Sequence, residues 1–350
     1  MRNINIGRRR IGPDQPPFII AEMSGNHNHS LARALAIVDA AAKAGAHALK
    51  IQTYTAETMT LDLTGGAFSI RDKKSLWRGK SLFDLYRQAA TPWEWHKPIF
   101  DRCRKLGMIG FSSPFDATAV AFLEKLKVPC YKIASFELVD LPLIKKAAAT
   151  GKPLIMSTGL ATEREIAEAV GAARKAGNNK IVLLKCTSTY PASPENSNLL
   201  TIPDLQKRFG CQVGLSDHTL GIGAALAGVV LGAVVVEKHF TLARADGGVD
   251  AAFSLEPAEL KALVAETERA RLSLGAVKYG STAAEKGSLK FRRSLYIVKD
   301  LQAGEKLSPE NMRAIRPGLG LPPKYYDKLI GKKLKKAVKR GTPVSWGIIR

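Results

Sequence analysis

The chain has 350 residues, 45% of them hydrophobic and 24% charged, and carries a formal net charge of +22. Those proportions are ordinary for a globular protein, and this length buries a large core without disulfide or metal staples. No run approaches the ~20 apolar residues of a membrane helix, and the opening MRNINIGRRRIGPDQPPF lacks the apolar stretch of a secretory signal. The four cysteines, Cys103, Cys130, Cys186 and Cys211, form no CxxC pair. They read as reduced thiols of a cytoplasmic protein, not as a zinc knuckle or a redox motif.

Eight short apolar, β-branched runs recur in the first 241 residues. They are Phe18–Met23, Ala48–Thr53, Met108–Ser112, Cys130–Ala134, Leu154–Ser157, Ile181–Cys186, Gln212–Ser216 and Val234–His239. Near-continuous apolar runs are the mark of parallel strands covered on both faces. Between most of them lie stretches with helical spacing. Ser30 caps one that Gly45 ends, Thr162 caps another that Gly177 ends, and Glu256–Leu274 supplies the last. Eight strand–helix units predict an α/β fold, the (β/α)8 barrel, over 1–274. A doubly wound open sheet is the rival, but no glycine-rich phosphate loop follows the first run. The segment Tyr54–Trp93 is too long for an ordinary connection and predicts a lid or hairpin near the site.

Gly275–Gly287 reads as a linker. From Gly287 onward there are sixteen Lys and Arg against four acids, so more than half of the +22 excess lies there. Alternating residues and the turn signals Ala303-Gly304 and Ser308-Pro309 predict a small β-rich domain over 288–350. Lys332–Arg340 reads as a helix-like, solvated basic face. The excess positive charge suits an anionic partner. The domain lacks interleaved aromatics and any nucleic-acid recognition motif, so nucleic acid is the remote alternative and neither it nor a membrane is the expected partner.

Barrel chemistry sits at the C-terminal ends of the strands, and each run ends in polar residues. Glu22 closes the first; Lys50 and Gln52, then Ser112 and Ser113, close the next two. Lys132, Ser135 and Glu137 follow, then Ser157, then Lys185, Ser188 and Tyr190. Ser216 with His218 and Glu237 with His239 close the last two. Residues two apart share a strand face, so these pairs converge on one mouth. Two histidines on adjacent strands can bind one divalent cation. Lys50, Lys132 and Lys185 beside serine hydroxyls suit a small, highly charged anion such as an enol phosphate. Glu22 could move a proton.

The motifs FIIAEMSGNHNHSL, ALKIQTY, FSSPFD, YKIASFEL, KPLIMSTGLAT, LLKCTSTYPASPE, VGLSDHTLG, VVEKHFTL and FSLEP resemble the sialic acid synthase family. The likeness runs from about Phe18 to Gly347. Within the family AEMSGNHN, TPWEWH, GGVDAAFSLEP and FRRSLYIV are most similar to the pseudaminic acid synthases. The resemblance implies a barrel followed by an antifreeze-like (SAF) domain, and a domain-swapped homodimer in which each small domain caps the partner's barrel. It implies condensation of phosphoenolpyruvate with an acylated amino sugar, 2,4-diacetamido-2,4,6-trideoxy-β-L-altropyranose. N-acetylneuraminate or legionaminic acid synthesis is the alternative, and the product would serve flagellin or a surface polysaccharide.

Residue by residue, the resemblance makes His218 and His239 the ligands of one divalent ion, Mn²⁺, Mg²⁺ or Co²⁺. It makes Glu22 the catalytic carboxylate, with Glu137 and Glu237 as supporting acids. Lys50, Ser112, Lys132, Ser135, Ser157, Ser188 and Ser216 match positions around phosphoenolpyruvate, and Gln52, Tyr190 and Asp250 match positions facing the sugar. Arg316, in IRPG, matches the arginine offered to the sugar's acyl group across the dimer. Ser188 stands where N-acetylneuraminate makers usually carry a different polar residue.

Overall fold

A computed structural model describes residues 2–72 and 75–350; Lys73 and Lys74, inside the long Tyr54–Trp93 segment, lie outside the described residues. The chain divides after Gly275 into two compact units.

The first unit opens with a hairpin, β1 (Ile4–Ile6) and β2 (Arg9–Ile11). Eight strands follow: β3 (Phe18–Glu22), β4 (Ala48–Thr53), β5 (Ile109–Pro114), β6 (Tyr131–Ile133), β7 (Leu154–Ser157), β8 (Ile181–Cys186), β9 (Gln212–Asp217) and β10 (Val235–His239). All pair in parallel, and β10 pairs back to β3, closing the barrel. The eight expected strands thus all form, and the open-sheet alternative falls. Alternate residues on each strand face opposite ways. Leu49, Ile51, Ile133 and Met156 pack outward against the helices. Phe18, Ile20, Ala48, Phe111, Leu184 and Val235 fill the barrel, and Ile4, Ile6 and Ile11 of the hairpin join this inner cluster from below. The sequence reading left that hairpin out, because its three-residue strands are interrupted by a run of arginines.

Among the described residues ten α-helices accompany the strands: α1 (Leu31–Lys43), α2 (Ala56–Met59), α3 (Leu82–Ala89), α4 (Trp93–Lys105), α5 (Ala117–Lys125), α6 (Leu141–Ala148), α7 (Glu163–Lys175), α8 (Thr201–Phe209), α9 (Gly223–Val230) and α10 (Pro257–Leu274). Their ends obey local chemistry. Ser30 caps α1 by accepting from the Arg33 amide, and Thr162 with Glu165 forms a reciprocal capping box on α7. Gly45 and Gly177 follow α1 and α7 with φ of +89° and +86°, a conformation that suits glycine. The long segment after β4 carries α2, a bridge between Ser69 and Ser81, and α3. Ile70 exchanges backbone hydrogen bonds with Gly79 and Lys80 in hairpin fashion.

The second unit pairs β11 (Ser294–Ile297) with β12 (Met312–Ile315) around Leu295, Ile297, Leu307, Met312 and Val344. Lys332–Arg340 is extended, not helical: Leu334 and Val338 turn into this core and bridge Ile349 and Leu301, while the lysines between them stay exposed. Among the described residues no helix is long and apolar enough to cross a membrane.

Candidate active site

The inward parity of each strand places apolar side chains low in the barrel and polar ones at its C-terminal end. Above the apolar filling stand Glu22, Lys50, Lys132, Ser157, Ser216 and Glu237, all nearly fully buried. They adjoin a cavity of about 440 Å³, within the usual size of a small-molecule site.

A continuous polar chain crosses this mouth. Lys50 Nζ lies 2.6 Å from Glu22 Oε2 and 3.6 Å from Glu237 Oε1. Lys132 Nζ is 3.4 Å from the same Glu237 oxygen, which also accepts from Ser216 Oγ at 3.4 Å. Gln52 Nε2 donates to Glu22 Oε1 at 3.0 Å and to Ser24 Oγ at 3.2 Å, and Ser24 donates to Asp250. Buried charges persist only when paired, and the pairing decides the proton affinities. Burial works against the Lys50 ammonium, but Glu22 and Glu237 outweigh it and raise its pKa. At Lys132 burial wins and lowers the pKa despite Glu237. Burial opposes ionisation of Glu237 too, yet the two lysines hold it well below the usual carboxylate range. Glu137, without so close a cation, is pushed up by burial to about 7.

His218 and His239 face one another with ring centroids 5.3 Å apart. Nδ1 of His218 donates to the Thr187 carbonyl at 2.8 Å, which leaves Nε2 as the accepting or ligating nitrogen. Nδ1 of His239 makes no hydrogen bond, although Asp250 Oδ2 lies 3.4 Å away. No group of three His, Cys, Asp or Glu side chains forms a metal cage among the described residues. Two imidazoles, one oriented from behind by a carbonyl, fit an ion that takes its other ligands from substrate and water oxygens. The Cys186 thiol packs against His218: burial would raise it, but His218, Ser135 and Lys132 bring it down to about 6.

The cavity gathers Lys50, Gln52, Lys132, Ser135, Glu137 and Ser157 with Ser188, Tyr190, Ser216, His218, Glu237, His239 and Asp250. Glu22 lies just beneath, tied to Lys50 and Gln52. Gly159 gives Ser135 and Ser188 room, since a Cβ there would sit 2.6 Å and 2.2 Å from their hydroxyl oxygens. Ser112 is not among these residues. Its parity turns it outward, where it bonds Thr53 Oγ1 at 2.6 Å and the Ile51 carbonyl at 2.9 Å; Ser113 faces inward, 3.2 Å from Lys50 Nζ. Lys185 likewise leaves the mouth: its ammonium donates to the Cys186 carbonyl and to Thr187 Oγ1, so only two of the three expected cations converge. Arg316 lies in the second unit, exposed just beyond β12.

A family model described as the NeuB family matches residues 37–279, and one for the SAF domain matches residues 292–350. The chain belongs to the NeuB family. It is 44% identical to the pseudaminic acid synthase of Helicobacter pylori, over 95% of this chain and 97% of that one. It is 43% identical to the pseudaminic acid synthase of Campylobacter jejuni, with the same coverage. A crystal structure of the N-acetylneuraminic acid (sialic acid) synthetase of Leptospira borgpetersenii, in complex with citrate, superposes with a TM-score of 0.73 at 34% identity, covering 83% of this chain and 96% of that one.

Several residues lining this cavity escaped the sequence reading. Cys186 is one residue from Lys185, and strand parity alone would have chosen it. Tyr54, Trp77, Tyr86 and Phe115 line the cavity from the long β4–α4 connection and the loop after β5. Nothing in their local spacing marks them.

Proposed function

We propose that this chain is a pseudaminic acid synthase. It joins phosphoenolpyruvate, 2,4-diacetamido-2,4,6-trideoxy-β-L-altropyranose and water to give pseudaminic acid and phosphate. One observation carries the reading: Glu137 Oε2, Ser157 Oγ, Glu237 Oε2 and His239 Nδ1 are buried, make no hydrogen bond within the protein, and belong to residues lining one cavity beside Lys50 and Lys132. Buried polar atoms without partners are rare, and a cluster of them marks a place made for a polar ligand. Two ammonium groups among serine hydroxyls suit an enol phosphate. The likeness to pseudaminic acid synthases supports the choice of sugar.

In the reaction, carbon 3 of phosphoenolpyruvate bonds to the aldehyde carbon of the open-chain sugar, whose oxygen takes a proton. Water adds at carbon 2 and loses its proton, and cleavage of the carbon–oxygen bond releases phosphate and leaves the ketone. Lys50 and Lys132 hold the substrate's negative charge in place. Glu22, oriented by Gln52 and Lys50, moves the proton at the water or the sugar oxygen. Glu137, protonated up to about pH 7, can donate one; Glu237 stays ionised and neutralises the lysines before substrate arrives. A divalent ion on His218 and His239, Mn²⁺, Mg²⁺ or Co²⁺, would supply Lewis acidity for the aldehyde oxygen. Arg316 would serve the sugar's acyl group from the second subunit of a domain-swapped homodimer. Four free, buried cysteines support a reducing, cytoplasmic setting.

The deciding experiment measures phosphate release from phosphoenolpyruvate with the altrose derivative, with its legionaminic counterpart and with N-acetylmannosamine, each with and without EDTA. The expected result is fastest release with the altrose derivative, abolished by chelation. Preference for another sugar overturns the product named here, and undiminished release in EDTA overturns the metal.

A further inference from the structure

The cavity has two unlike walls. One is the charged set of strand ends. The other comes from the chain between β4 and α4, through five apolar side chains, Met59, Ile70, Trp77, Leu82 and Leu85, while the phenols of Tyr54 and Tyr86 line the cavity from the same segment. Of these five only Trp77 carries a hydrogen-bonding group, and its indole N–H is already committed to the Val249 carbonyl at 2.9 Å. The same indole lies against Tyr190, centroids 5.9 Å apart, and Tyr190 in turn leans on His218 and Phe253. The apolar wall is therefore fastened beside the histidines through Tyr190. Ile70 is held by its backbone bonds to Gly79 and Lys80, and Leu85 is buried within α3.

A hydroxyl pressed on these five side chains loses its water and gains no partner from them, whereas a methyl group gains from the same burial. The phosphate and carboxylate of one substrate have the lysine end to go to; the apolar wall is left for the other. We infer that Met59, Ile70, Trp77, Leu82 and Leu85 form a specificity subsite that selects sugars with a methyl group at carbon 6 and an acylated amine at carbon 4, against sugars with hydroxyls there. The inference rests on the synthase reading above but not on its choice of stereoisomer. The altrose derivative and its legionaminic counterpart share those methyl groups, so this wall separates both from N-acetylmannosamine and does not separate them from each other.

The test compares kcat/KM for the 2,4-diacetamido-2,4,6-trideoxy sugars and for N-acetylmannosamine in the wild type, Ile70→Asn and Leu82→Asn. Both positions are half-buried, so the variants should fold, as melting curves will report; Met59→Gln on α2 stands in for either that does not. The expected result is a preference for deoxy sugars that shrinks about tenfold in each variant, with the phosphoenolpyruvate KM unchanged. A preference that stays within about twofold of wild type in two folded variants, on the same discrimination scale, overturns the subsite while leaving the reaction standing. No phosphate release by the wild type with any of these sugars overturns the reaction and the subsite together. Release with a legionaminic precursor in place of the altrose derivative overturns only the named product.

Discussion

Lys50 and Glu22 stand in direct register on adjacent barrel strands, with Nζ and Oε2 2.6 Å apart and both side chains buried. Glu237 also touches this ammonium, so the charge balance does not depend on Glu22 alone. Glu22→Gln should therefore fold, bind both substrates with KM values within a few-fold of wild type, and lose about 10²- to 10⁴-fold in kcat. Lys50→Met differs: it strands Glu22, leaves Glu237 to Lys132 alone, and should cost about 3–5 kcal/mol of stability. Steady-state rates and denaturant titrations separate the two, and a wild-type kcat in Glu22→Gln removes Glu22 from the proton step.

Ser112 and Ser113 are neighbours with opposite faces. Ser112→Ala loses its bonds to Thr53 and to the Ile51 carbonyl and should cost about 1 kcal/mol of stability without moving the phosphoenolpyruvate KM. Ser113→Ala loses its bond to Lys50 and should raise that KM while leaving stability nearly intact. The reverse pattern would mean that the outward serine serves the ligand.

His239→Ala removes one of two imidazoles. Calorimetric titration with Mn²⁺ should show binding to wild type and none to the variant, and turnover should vanish with it. Full turnover of the variant under strict chelation excludes the metal role of His239.

Burial raises the Glu137 carboxyl to about 7. Its folded pKa lies above its unfolded value, so its contribution to stability is complete below the unfolded pKa and is lost as pH rises through about 7. Glu137→Gln cannot ionise and should escape that loss. Relative to wild type its melting temperature should rise by a few degrees between pH 5 and pH 8 (about 2–4 °C per kcal/mol for a domain of this size). Parallel melting curves at the two pH values would show that Glu137 is ionised throughout.

Arg316→Ala should chiefly raise the sugar KM. If the second unit serves a neighbouring barrel, mixing Arg316→Ala with His239→Ala subunits restores about a quarter of the sites, because half of the random pairs carry one intact site. Mixtures that stay as inactive as their parts argue against exchange between subunits.

The eight strands were legible because each is buried on both faces and reads as an apolar run, and the polar residues ending those runs located the site. What misled was parity. A one-residue uncertainty in a strand exchanges its faces, so the strand end that offered both Ser112 and Ser113 did not say which faces inward, and Lys185 stood in for Cys186. The apolar wall was illegible for another reason. Trp77 meets Val249 across 172 positions of chain, and no local period encodes a contact of that span. The basic run 332–340 misled because its lysines hide the two apolar residues, Leu334 and Val338, that fix it to the second unit's core.

Ile4, Ile6 and Ile11 close the barrel's N-terminal end, so traffic passes through the C-terminal mouth alone. A substrate held as proposed by Lys50 and Lys132, which are buried at the strand ends, would have to enter before a second molecule covers it. With the barrel's interior packed and the hairpin beneath it, the expected consequence is an ordered reaction, the enol phosphate before the sugar, which product-inhibition patterns would show.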